Sequence, residues 1–167
     1  NEPSNTFNNN NSDYTRTRTN HFIPIWSGGT LSPMTILVDV ANWDNGSLLE
    51  GDEIGIFDGD LCVGAYLVPE GGFGNNSGVE ISTSMDDQNE GIDGFTNGHT
   101  LTVRVWKESI GIDIDATIDS FVDINHQIIN PTFEGLTTPR MQINVYGPSA
   151  IAFINTYPSY EEIALSW

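Results

Sequence analysis

The chain has 167 residues, with 5 basic against 23 acidic side chains and a formal charge of −18. A surface that acidic repels phosphate backbones, which argues against nucleic acid as a partner, and it attracts cations. The length suffices for one domain with a real core, and no run reaches the roughly 18 apolar residues that a membrane-spanning helix needs. Bound Ca²⁺ is one way to screen so dense a negative charge. Cys62 is the only cysteine, so an internal disulfide and a cysteine-based zinc site are both excluded. It lies in the apolar run LCVGAYLV and reads as a small buried hydrophobe. The opening NEPSNTF lacks a Met, so the expectation is a processed mature protein or an excised fragment.

Residues 1–20 are poor in apolar side chains and carry four consecutive Asn, the composition of a leader or linker. Within them, YTRTRT alternates and holds Arg16 and Arg18. With Tyr14 it can lie as an added strand on an acidic sheet edge, in its own molecule or a neighbour. From His21 the pattern is β. HFIPIWS reads as a strand, with Pro24 marking an edge or a start. MTILVDVA is next, followed by an Asn45-Gly46 turn signal. EIGIF and LCVGAYLV read as a hairpin joined by Asp58-Gly59-Asp60. A Gly-rich loop, PEGGFGNNSG, precedes the short strand VEISTSM.

DDQNEGIDGFTNG reads as a long acidic loop. HTLTVRVW then alternates, with Leu101, Val103 and Val105 on one face. SIGIDIDATI, MQINVYG and IAFI complete the strands. No segment shows helical apolar spacing. The expectation is an all-β fold with almost no helix, an antiparallel β-sandwich of Ig-like or jelly-roll-like form with about nine strands. EGDEIGIFDG and TNGHTLTVRVWKES echo each other as equivalent strands ending in Phe57 and Trp106.

Three sites follow from the residue types. Hard oxygen ligands on a Gly-containing loop suit Ca²⁺, which takes roughly six to eight oxygens. Asp86, Asp87, Glu90 and Asp93 offer them, although Asn97 stands where an EF-hand would place its bidentate Glu. Asp58 and Asp60 have two readings, as ligands of the same kind or as turn residues around a Gly59 with positive φ. Trp43, beside a turn, and Phe73, in the Gly-rich loop, are the candidate exposed aromatics for stacking on a glycan, whereas Trp26 and Trp106 end alternating strands and read as core. No catalytic residues are assigned: the three histidines are far apart in the chain, and no G-x-S-x-G occurs. The sequons at Asn10, Asn45 and Asn75 are expected by chance in so Asn-rich a chain.

The final YPSYEEIALSW resembles the opening of a fibronectin type III domain. An isolated tail of that kind exposes Ile163, Leu165 and Trp167 and needs a partner strand. The expected organisation is a leader or exchangeable strand (1–20), a sandwich module (21–148), and terminal strands or the start of a further module (149–167).

HFIPIWSGG with SPMTILVDVA, GDEIGIFDGDLCVGA and IDGFTNGHTLTVRVW together resemble a recurrent module of very large secreted or surface proteins of Bacteroidetes-type bacteria. The resemblance covers about residues 21–147. Its most specific element runs from Gly51-Asp52-Glu53 to Cys62-Val63-Gly64. It implies an extracellular β-sandwich with a role in adhesion, scaffolding or glycan contact, and it offers no catalytic residues to carry over; with no catalytic motif in the chain, the expectation is that it is not an enzyme. The partners expected are neighbouring β modules, further copies of the chain, or glycans, with no membrane insertion.

Overall fold

The computed structural model describes residues 20–44, 46–74, 78–89 and 91–147. They form strands β1 (Thr35–Trp43), β2 (Gly46–Ser47), β3 (Glu53–Asp58), β4 (Leu61–Leu67) and β5 (Val79–Ser82). Strands β6 (Leu101–Lys107), β7 (Ile112–Asp115), β8 (Thr117–Val122) and β9 (Arg140–Val145) follow, with no helix among the described residues.

Two sheets face each other as a sandwich. One has the order β4-β3-β6-β7, and the other β2-β1-β9-β8 with β5 also on β1. The pairs are antiparallel except β1–β9, which is parallel, so the all-antiparallel expectation is corrected at that pair. Alternation fixes which face is buried and is blind to the direction of a partner.

In β1, Ile36, Val38 and Ala41 point into the core. The move from even to odd positions is made by a register shift between Val38 and Val40 against β9. Asp39 lies in that shift, and its carboxylate takes Arg140 Nε at 2.9 Å and Nη2 at 2.6 Å. This two-point ion pair ties the first strand to the last.

Leu101, Val103 and Val105 of β6 face Ile36, Val38, Met141 and Ile143 across the core. Each such side chain contributes about 1.5–3 kcal/mol on burial. Phe95 and Phe133, both from loops, are fully buried and stack with centroids 4.7 Å apart.

HFIPIWS is not a strand. It crosses the outer face of the β4-β3-β6-β7 sheet as an irregular strap. His21 stacks on Trp106 at 3.8 Å, Phe22 packs edge-on to Phe57, and the Trp26 indole N–H donates to the Val63 carbonyl at 2.6 Å. Trp26 and Trp106 are therefore half-buried under or beside the strap, outside the core. SIGIDIDATI also differs from expectation. It forms two strands, β7 and β8, because the chain leaves one sheet for the other at Ala116.

Candidate functional site

The Gly51-Asp52-Glu53 element has a structural explanation. Asp52 is buried and pairs with the equally buried Lys107 at 2.6 Å. It also accepts the amides of Leu49 and Glu108. Glu53 is buried on the outer face and accepts the amides of His21 and Phe22, which fixes the strap. Gly55 has no room for a side chain, since an added Cβ would lie 2.6 Å from the Phe57 ring and 2.9 Å from that of Phe22.

The acidic candidates separate into two groups. Asp86, Asp87 and Asp93 bring carboxylate oxygens within 4.8 Å of one another. Their loop is closed by a bridge between Met85 and Phe95. Gly94 allows that closure, because a Cβ there would meet the Met85, Asp86 and Ser84 backbone at 2.4–2.5 Å. Asp86 and Asp87 each accept an amide two residues on, and Asp93 accepts the Asp87 amide at 3.2 Å. The trio suits a hard cation such as Ca²⁺, whose other ligands would be backbone oxygens or water. Glu90 lies outside the described residues.

Asp58 and Asp60, the candidates with a ligand or a turn reading, stand apart from the trio. Asp58, with a side chain only 11% exposed, accepts the Thr96 amide at 2.9 Å and holds His99 Nδ1 at 3.0 Å. It pins the end of the acidic loop to the β3–β4 turn. Asp60 is fully exposed, 3.4 Å from Arg104. Gly59 takes φ 59°, so the turn reading holds for the tip itself.

Of the two glycan-stacking candidates, Phe73 does not have the exposed ring expected of it. Phe73 is core: it packs edge-on to Tyr66, and its amide donates to the Leu48 carbonyl. Gly71, Gly72 and Gly74, all at positive φ, flank Phe73 on both sides, so the loop bends enough to turn its ring inward. Trp43 is half-buried against the core, with the Lys107 ammonium 5.9 Å from its ring centroid.

Two further features escaped the sequence reading. A groove of about 580 Å³ lies beside the start of β9, lined by Met34, Ile124, Ile129, Leu136 and Pro139 among others. Ile124 and Leu136 are more than 70% exposed. At its rim Asp123 accepts the Gln127 and Asn125 amides, which hold its carboxyl below the usual range.

The second feature is the outer edge of β7. No described strand pairs beyond it. Asp113 and Asp115 are exposed there, on the same face as their cross-strand partners Trp106 and Arg104. A shallow groove of about 180 Å³ runs along Arg104, Asp113, Ile114 and Asp115. The strand-exchange candidates Tyr14, Arg16, Arg18, Ile163, Leu165 and Trp167 lie outside the described residues.

No protein-family model, no curated protein and no solved structure matches the chain.

Proposed function

We propose that this chain is a non-catalytic structural module of an extracellular surface or filament-forming protein. It joins neighbouring β modules or copies of itself by strand exchange through its terminal segments. The edge of β7, beside which no further strand lies among the described residues, carries this reading: an unpaired strand edge is a template for another strand. A swapped strand makes a heterologous contact that need not close, as a fibre requires. His21 stacks on Trp106 and His99 pairs with Asp58. The extracellular location rests on the resemblance of residues 21–147. Ca²⁺ is the ion proposed for Asp86, Asp87 and Asp93, where it offsets their mutual repulsion.

Deleting residues 1–19 or 155–167 tests the reading by sedimentation velocity. Concentration-dependent association is expected for the full chain and lost in at least one deletion. Association unchanged in both would refute strand exchange through the termini.

A further inference from the structure

Two loops wall the groove beside the start of β9, and hydrogen bonds fix both. In the first, the Asp123 amide donates to the Gln127 carbonyl, the His126 amide to the Asp123 carbonyl and the Ile129 amide to the Phe121 carbonyl, each at 3.0 Å. In the second, the Gly135 amide donates to Asn97 Oδ1 at 2.8 Å, the Leu136 amide to the Pro33 carbonyl at 2.9 Å and the Thr137 hydroxyl to the Glu134 carbonyl at 2.6 Å. The Thr137 carbonyl accepts the Thr35 amide at 3.0 Å, which ties this wall to the first residue of β1. Walls held this way are formed before any ligand arrives, and that lowers the ordering cost of binding. The groove's volume of about 580 Å³ is that of a ligand site.

Leu136 is the unusual residue. Its φ is 62°, a left-handed conformation that costs a residue with a Cβ and that glycine takes freely. The other non-glycine residues at positive φ, Ser32, Asp44, Gln88 and His126, are polar. Leu136 is also 78% exposed, so burial within the described fold does not offset its strain. On the facing wall Ile124 is 73% exposed. Strain that holds an apolar side chain out in water points to something that covers it.

Charge says what kind of occupant fits. Asp123 and Glu134 line the same groove, and no Lys or Arg does. The Gln127 and Asn125 amides hold the Asp123 carboxyl below its ordinary range, so it stays charged. The described basic residues Arg104, Lys107 and Arg140 are each paired with acids elsewhere in the fold. A second copy of the chain would bring a further charge of −18 against these carboxylates. Asn130, Thr132 and Thr138 add donors and acceptors to the lining, which a peptide backbone can use and a hydrocarbon chain cannot.

We propose that this groove binds a short basic and apolar segment of a partner polypeptide. An aliphatic or aromatic side chain sits between Ile124 and Leu136, and a neighbouring Lys or Arg lies against Asp123 and Glu134. The site is separate from strand exchange through the terminal segments and recruits a different partner.

The test is selection of a random peptide library displayed on phage against the full chain, followed by fluorescence anisotropy with the enriched sequences as synthetic peptides. Enriched peptides are expected to carry Lys or Arg next to Leu, Ile or Phe. They should bind Leu136→Gly, and Asp123→Asn with Glu134→Gln, at least tenfold more weakly than the parent. Asp113→Asn with Asp115→Asn, which removes as much charge at β7, should leave the affinity unchanged. Leu136→Gly should unfold at no lower urea concentration than the parent, since glycine relieves the left-handed strain. No enriched peptide, enrichment of acidic or uncharged peptides, or equal weakening in the β7 variant would overturn the proposal. So would a lower unfolding midpoint for Leu136→Gly, because the leucine would then serve the fold.

Discussion

Glu53 holds the backbone of His21: both carboxylate oxygens accept its amide, at 2.8 and 3.0 Å, and one also takes the Phe22 amide. A buried acid on the outer face of a sheet is thereby satisfied by a strap from 31 or 32 residues earlier in the chain. Glu53→Ala leaves those amides without an acceptor and uncovers Phe57 and Trp106. The expected loss is about 2–3 kcal/mol in urea unfolding. Tryptophan emission should shift to the red in the native baseline. A variant as stable as the parent, with unchanged emission, would show that the strap is held by other contacts.

The Asp52–Lys107 pair is buried on both sides. Removing one partner leaves an uncompensated charge, so Asp52→Ala is expected to cost about 3–5 kcal/mol. Lys107→Met should cost less, because Asp52 keeps the amides of Leu49 and Glu108. Equal losses in the two variants would contradict this ordering.

Calcium binding discriminates between the two acidic groups. Calorimetric titration of Asp93→Asn is expected to show at least a tenfold weaker Ca²⁺ affinity. Asp60→Asn should leave it unchanged, because Asp60 stands apart from the trio. Ca²⁺ at a hundred times its dissociation constant should stabilise the fold by about 2.7 kcal/mol. The same affinity in the Asp93 variant and the parent would remove the trio as the site.

Burial pushes the Cys62 thiol up from 9.0 to about 11. The folded state keeps a proton that the unfolded state releases. This contribution to stability is complete below the unfolded value and is lost as pH rises from 9 toward about 11. At pH 8 the native thiol should react with a disulfide reagent about a hundredfold more slowly than the unfolded chain, since only the thiolate attacks. Comparable rates would mean that Cys62 is not held in this environment.

Much of the fold was legible because β1, β6 and β9 each bury one face, so their alternation marks them. HFIPIWS carries the same pattern, but it lies across a sheet instead of within one. β3 is buried on both faces because that strap covers its outer side, and nothing local to Glu53 announces it. The β7–β8 break at Ala116 does not interrupt the alternation, so the two strands read as one. Asp86, Asp87 and Asp93 were legible as neighbours on one loop. The role of Asp58 was not, because its partners Thr96 and His99 lie 38 and 41 residues away. Phe73 misled because Gly-rich surroundings suggest exposure, whereas here they let the chain bend to bury the ring.

Particle size, by light scattering and negative-stain microscopy of the full chain with Ca²⁺ and with EDTA, tests most directly whether this is an assembling structural module. Regular elongated particles whose length grows with protein concentration are the expected result. Compact monomers at every concentration, with and without the ion, would contradict it.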